Sequence, residues 1–445
     1  MIVEHTRYGN NMITSGNEQF YYGNCEKYFL DYLKKESARN RKFKLVFLIF
    51  IACLLFLMFG FSKPMFAKAD VDENIIVTQS SEIYLDKNFK ENIKNKYSGS
   101  YINFPDIGIA HIKQTKYIKS KPIKINIVEL NTRVNQNLKI QPIIPKTNLK
   151  SKSTVRKLAQ ANRGIIAING GFFKPQSGLP LGTLVINGEI LTGPIYNRSA
   201  FAVFEEGNRT YFKIQNVSLD IKAYTKSKMF NIDNINQPRM LSTYTLIYNS
   251  RWGEYSPVAP KHCYNVLIKD NKAVKISANP IKMDEGDLVL QGNKELMRQV
   301  IKDKEIYIDV KLPSEIANAK HILGGGPFLV KNGEVYVDYK AQKLSAIQGK
   351  NPRSAIGYKN DGTLIIVTID GREEASVGMT LYETALLMKN LGCEYAMNFD
   401  GGSSSALYVD GKIVNGAVNK EGIAVSNALV VYENNPDEVK ISAVD

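Results

Sequence analysis

The sequence predicts an α+β fold: a β-rich core of mixed sheet with few helices, preceded by one N-terminal transmembrane or signal segment. Three observations lead there. Four dipeptides, Asn187-Gly188, Asn332-Gly333, Asp361-Gly362 and Asp410-Gly411, each sit between β-rich runs, where a tight turn with positive φ joins two strands into a hairpin. Three short apolar runs end on a polar residue followed by glycine: Gly164 to Asn169 before Gly170-Gly171, Thr363 to Asp370 before Gly371-Arg372, and Tyr395 to Asp400 before Gly401-Gly402. The third observation is Leu45 to Phe61, an apolar run without a charge, behind Arg39, Arg41, Lys42 and Lys44.

The basic flank ahead of that run predicts a cytoplasmic tail over 1–44 and a membrane-crossing or signal segment over 45–62. Ala67-Lys68-Ala69 resembles a signal-peptidase site. The expected location is the cell membrane, single-pass with an extracytoplasmic domain; secretion after cleavage near Ala69 is the alternative. Residues 70–120 are polar, rich in Lys and Asn, and read as a stalk with some helix near Leu85 to Lys96. The folded domain is expected over 121–434, opening with strands at Ile123 to Leu130 and Leu138 to Ile144 and a helix from Ser153 to Asn162, with 435–445 as a tail. Between Asp370 and Asp400 lies a helix whose start is marked by Thr380 as N-cap and Glu383 closing a capping box, with Leu381, Ala385 and Met388 at helical spacing and Gly392 as stop. Strand, helix, strand reads as a crossover between parallel strands, which places Asp370 and Asp400 on one rim. A faint repeat, Arg198-Ser199-Ala200 against Arg353-Ser354-Ala355, begins two further strands.

Composition narrows the function classes. The net charge of +15 and pI near 9.3 favour an anionic partner such as lipid or wall polymer. A chain rich in Lys, Asn and Ile from a low-GC genome carries the same charge without any such partner, and no nucleic acid is expected. The four cysteines, Cys25, Cys53, Cys263 and Cys393, lack C-x-x-C spacing, which leaves a Cys263 to Cys393 bridge open but indicates no zinc or redox motif. The glycines at 324–326 are not followed by Lys-Ser/Thr, so they form no nucleotide P-loop. Ser403, Ser404 and Ser405 lie outside any G-x-S-x-G elbow.

Six stretches in order carry a resemblance: I-N-G-G-F-F (168–173), L-G-G-G-P (323–327), R-S-A-I-G (353–357), T-I-D-G-R (368–372), G-M-T-L-Y-E (378–383) and N-F-D-G-G-S-S (398–404). Together they resemble the phosphodiester glycosidase family, over about Pro122 to Tyr432. The resemblance implies an α+β protein with a β-rich core that hydrolyses sugar phosphodiesters, a sugar-phosphate or anionic glycan as substrate, and, for bacterial members, export toward envelope or exopolysaccharide material. A metal-assisted phosphodiesterase, or a non-catalytic factor that binds or assembles an anionic polysaccharide, is the alternative.

That reaction needs an oxocarbenium-like sugar stabilised and a departing phosphate neutralised. Phosphate leaves readily, so a cation matters more than a strong acid. Arg353, placed by its motif, is the expected phosphate partner because a planar guanidinium binds two oxygens at once; Arg372 is a second candidate. Asp400 and Asp370 would form the carboxylate pair, one acting on water or the anomeric carbon and the other steadying charge, although an Asp-Gly turn explains Asp370 equally well. Asn169 and Asn398 would bind sugar or phosphate oxygens, with Gly170, Gly171, Gly401 and Gly402 bringing the backbone close. Glu383 matches the family but is explained by its cap, and His321 beside the glycine run would be a ligand, a proton shuttle or a structural histidine. No cofactor is assigned; calcium or magnesium is the divalent ion that the oxygens of Asp370 and Asp400 would suit.

Overall fold

A computed structural model describes residues 73–434. The expectations for the N-terminal tail, the apolar run, the cleavage site and the C-terminal tail fall outside that range. Among the described residues no helix is long and apolar enough to cross a membrane.

The chain is β-rich with four α-helices among the described residues: α1 (Glu73–Lys96), α2 (Val155–Ala161), α3 (Lys294–Asp303) and α4 (Leu381–Asn390). Its largest sheet has eight strands, in the order Tyr101–Asp106, Ile109–Ile118, Lys121–Leu130, Leu364–Ile369, Arg353–Tyr358, Tyr395–Asn398, Phe328–Lys331 and Glu334–Val335. Every neighbouring pair in it is antiparallel. This corrects the expected parallel pair. Leu364–Ile369 and Tyr395–Asn398 do run in the same direction, but Arg353–Tyr358 lies between them and is antiparallel to both. The rim at which those two strands end is therefore the rim at which Arg353 begins.

Alternation along the strands gives the sheet two apolar faces. On one, Ile125, Ile127, Val367 and Ile369 meet Leu381, Ala385 and Met388 of α4 and Phe89 and Ile93 of α1. On the other, Val128, Leu130, Ile356 and Ile366 meet residues from the smaller sheets, among them Ile166, Ile168, Phe201, Tyr248 and Val431. A second core, built on Ile221, Val266, Leu290, Met297 and Val300, lies behind that layer, beneath α3 and a three-stranded sheet of Asp220–Thr225, Met229–Ile232 and Ile306–Lys311.

Local chemistry sets the element ends. The α4 capping box forms as expected, with Glu383 accepting from the Thr380 N–H at 2.8 Å and the Thr380 hydroxyl accepting from the Glu383 N–H at 3.1 Å. Asn187-Gly188, Asn332-Gly333 and Asp410-Gly411 have both residues at positive φ, as a two-residue hairpin turn requires. Cys263 and Cys393 are buried free thiols, so the bridge left open by the sequence is not made.

The segment expected as a stalk belongs to the fold. Tyr101–Asp106 and Ile109–Ile118 are strands of the large sheet, and α1 closes over its helical face. Lysine-rich polarity misled here, because the apolar residues that dock the helix are sparse. They are assisted by Glu129, 2% exposed, which receives Lys96 at 2.5 Å, Lys359 at 2.7 Å and the Tyr97 hydroxyl. Burial alone would raise the Glu129 carboxyl, but the two lysines hold it below the usual carboxylate range. We expect Ile93→Ala, at a 3% exposed position, to lower stability by about 2–4 kcal/mol in urea unfolding; an unchanged midpoint would mean that α1 is a free stalk.

Candidate active site

The rim site is assembled around Asn169, the last residue of Ile166–Asn169, which is fully buried. Its side-chain oxygen accepts from the Ser354 hydroxyl at 2.6 Å and the Ala406 N–H at 3.2 Å, and its amide nitrogen donates to the Asp400 carbonyl at 2.7 Å. The Asp400 N–H donates to the Gly170 carbonyl at 3.1 Å. Strand ends from two sheets are thereby tied together, and Asn169 spends its amide on protein. It positions Asp400 and is not free to bind a sugar.

The glycines act by what they exclude. A Cβ on Gly171 would stand 2.2 Å from the Gly324 carbonyl oxygen, and one on Gly170 2.0 Å from Asn427 Oδ1, so the glycine run 324–326 packs directly under this turn. The Gly170 N–H goes to the Asn427 carbonyl at 3.0 Å and the Gly171 N–H to Asn427 Oδ1 at 2.9 Å. Neither donor is left for a phosphate. Gly402, at φ 61, receives the Arg372 guanidinium above it, with Nη2 2.9 Å from where a Cβ would sit, and its N–H reaches the Pro352 carbonyl at 2.9 Å. The Gly401 N–H donates to Asp400 Oδ1 at 3.0 Å. Asn398 donates to the Gly326 and Phe399 carbonyls while its own Oδ1, buried, meets no partner within the chain.

Asp400 is the chemically distinctive group. Its carboxylate accepts from the Ser404 hydroxyl at 2.7 Å and from the Gly401 N–H, and among the described residues no ion pair reaches it. Burial pushes its pKa up to about 6, with those two hydrogen bonds pulling the other way. It lines a cavity of about 340 Å³ together with Phe172, Phe173, Lys152 and Ile423.

Asp370 opens elsewhere. It lies in a separate pocket of about 370 Å³ with Lys113, Lys124 and Asn126, and its Oδ1 accepts from the Gly416 N–H at 2.9 Å. Burial raises its pKa as well, against hydrogen bonds from Gly416 and Asn415. The two carboxylates share a rim but not a pocket. Among the described residues no group of three or more His, Cys, Asp or Glu side chains is placed to share a metal ion.

The two arginines differ in what they have left to offer. Arg353 is 1% exposed; its Nε donates to the Met379 carbonyl at 2.8 Å and its Nη2 to the Ile347 carbonyl at 2.8 Å and the Gly349 carbonyl. Burial, with Arg372 nearby, lowers its pKa to about 10. It cross-links two loops under the rim. Arg372 is exposed, held by Asn351 Oδ1 at 2.8 Å and lying 3.4 Å from the Ser403 hydroxyl, on the same turn that carries Asp400. His321 is buried on a strand of another sheet, where Nδ1 accepts from the Asn187 N–H at 3.2 Å and burial lowers its pKa to about 4. Glu383 remains in its capping box, with Lys350 at 3.8 Å. Sequence reasoning missed Phe172 and Phe173 as a pocket wall, and Arg198, whose guanidinium stacks 5.1 Å from the Phe172 ring. The Arg-Ser-Ala repeat was the available signal, since it marks both arginines at strand starts.

Comparison with known proteins bears on this arrangement. Residues 246–432 match the model of the phosphodiester glycosidase family. The chain is 32% identical over 168 residues to the SPbeta prophage-derived uncharacterized protein YomE of Bacillus subtilis (strain 168), covering 37% of this chain and 24% of that protein. It is 26% identical over 104 residues to N-acetylglucosamine-1-phosphodiester alpha-N-acetylglucosaminidase of Mus musculus, covering 21% of this chain and 20% of that one. The matches thus span a quarter or less of the curated relatives' own lengths. The fold is similar to the crystal structure of a hypothetical protein from Synechocystis, with a TM-score of 0.68 at 22% identity, over 75% of this chain and 64% of that one. The stretch that matches the phosphodiester glycosidase model takes in Arg353, Asp370, Arg372 and Asp400, while Asn169 and its glycine turn lie ahead of it.

Proposed function

We propose that the protein is an exported hydrolase that cleaves sugar-1-phosphodiester linkages in envelope or exopolysaccharide material, with Asp400 as its acid–base group. The observation that carries this reading is a half-buried carboxyl at a cavity with an aromatic wall, its pKa raised by desolvation to about 6, on a turn that also holds an exposed guanidinium. Phe172 and Phe173 suit the apolar face of a pyranose. Arg372, the arginine with an exposed fork, takes the phosphate role first expected of Arg353. Export rests on the basic flank and apolar run at 39–61.

In this mechanism the bond from the anomeric carbon to the phosphate oxygen breaks, and its electron pair leaves with the phosphate toward Arg372. Water adds to the anomeric carbon, and the ionised Asp400 accepts its proton. Burial serves this step, because a carboxylate with a raised pKa is a stronger base. Asp370, in its own pocket, holds the loop at Asn415-Gly416 and takes no part in the transfer.

For turnover of a glycosyl-1-phosphodiester, kcat/KM should rise with pH through about 6 and then level. Asp400→Asn should lower it by about 10²–10⁴ and flatten the profile, whereas Asp370→Asn should stay within about tenfold of wild type. Hydrolysis in 18O-labelled water should place the label in the sugar. Label in the phosphate would establish the phosphodiesterase alternative, and binding of anionic glycan with no product would establish the non-catalytic one.

Two stability measurements separate chemistry from folding. At low pH Asp400 is protonated in both the folded and unfolded chain. As pH climbs from about 4 to about 6 the unfolded chain ionises first and the native state loses stability, until the folded carboxyl ionises too. Asp400→Asn should therefore stabilise the protein at pH 8 by about 1–3 kcal/mol, with the gain fading toward pH 4 in chemical denaturation. The arginines should part in the opposite sense. Arg353→Lys, unable to reach three carbonyls, should lower stability by about 1–3 kcal/mol, while Arg372→Ala should leave the melting temperature in place and weaken substrate binding.

A further inference from the structure

The outer face of the three-stranded sheet carries a row that neither the fold nor the proposed reaction uses. In register across its strands stand Met229, Tyr224 and Tyr307, since Tyr224 pairs with Met229 on one side and with Tyr307 on the other. Residues directly opposite in antiparallel strands share a face, and all three are exposed, at 56%, 40% and 59%. The inward residues of the same strand, Ile221 and Ala223, are buried in the second core, so this row faces solvent. The two tyrosine rings lie 6.3 Å apart, tilted by 39°.

Beside the tyrosines is a pocket of about 360 Å³ whose rim carries Lys226, Lys272, Asp270 and Glu305. Among the described residues none of these four forms an ion pair or a side-chain hydrogen bond, so their donors and acceptors point to solvent. Their formal charges cancel, and the next residues along the outer face cancel too, Lys222 lying 3.0 Å from Asp220 and Lys311 2.7 Å from Asp309. A polyanion would meet as much repulsion as attraction here. An uncharged ligand with an apolar ring face and hydroxyls around its edge meets aromatic surface beneath and free polar groups at the side.

We propose that this face is a glycan-binding site, seating a neutral pyranose of an oligosaccharide on Tyr224 and Tyr307, with its hydroxyls bonded to the charged rim. The lining belongs to other elements than those at the Asp400 cavity, and the inference does not depend on the cleavage reaction. The test is calorimetric titration of the full-length protein with hexasaccharides of N-acetylglucosamine, of glucose and of mannose. At least one should bind. Tyr307→Ala should weaken it by about tenfold with an unchanged melting temperature, Tyr307→Phe should retain it because the ring remains, and Asp400→Asn should bind as wild type does. Failure of all three sugars to bind overturns the proposal. So does binding that Tyr224→Ala and Tyr307→Ala leave intact, or binding that disappears with Asp400→Asn.

Discussion

The rim depends on one buried amide. Asn169 comes from a sheet that meets the large one chiefly through apolar packing, and packing by itself fixes distance poorly along the strand direction. Its three hydrogen bonds to Ser354, Asp400 and Ala406 supply the missing registration. Each bond is worth only about 0.5–1.5 kcal/mol net, but leaving any partner unmade in the interior costs about 1–3 kcal/mol, so the arrangement is specified more by the penalty of slipping than by the gain of holding. The glycine turns follow from it. With Asn169 pinned, the backbone at Gly170-Gly171 must pass against Asn427 and Gly324, and no side chain fits.

Burial then divides residues of one type between different tasks. Arg353 and Arg372 stand near enough to repel, yet one is enclosed by carbonyls and the other lies on the surface of a turn. A guanidinium saturated by backbone oxygens is a girder, and an exposed one has donors to give. The carboxylates divide similarly. Asp370 is anchored by the loop at Gly416, while Asp400, half-buried at its cavity, has no ion pair among the described residues. A desolvated acid whose pKa is raised in the fold makes the native state weaker above that pKa, a cost that folding alone gives no reason to keep.

Much of this was legible beforehand. The hairpin dipeptides, the capping box at Thr380 and Glu383, and the polar strand ends before glycine all describe backbone demands that a few residues make locally, and these appear where expected. The placement of Asp370 and Asp400 on one rim was also readable, although the strand between them was not, because strand order depends on long-range pairing that periodicity does not encode. Three things lay beyond reach for the same reason. Whether Arg353 faces carbonyls or solvent is decided by loops at 347–349 and 379 that arrive from elsewhere in the chain. The pocket that Asp370 enters is lined by the turn at 414–416, and the one that Asp400 enters by Phe172 and Phe173, far from both in sequence. The role of α1 rests on a few apolar contacts and on Glu129, hidden among lysines that otherwise read as solvated.

Cys393 has a consequence for how the folded state can be watched. Its thiol is 2% exposed, packed near Gly357 and beside the Glu129 cluster, and burial pushes its pKa up to about 12. At neutral pH the reactive thiolate is therefore nearly absent, and an alkylating reagent can reach the sulfur only when the sheet parts from α1 and α4. The residue is thus a built-in clock. Its rate of modification counts openings of the helical face, in a protein whose candidate site lies at the far end of the strand that begins beside this cysteine.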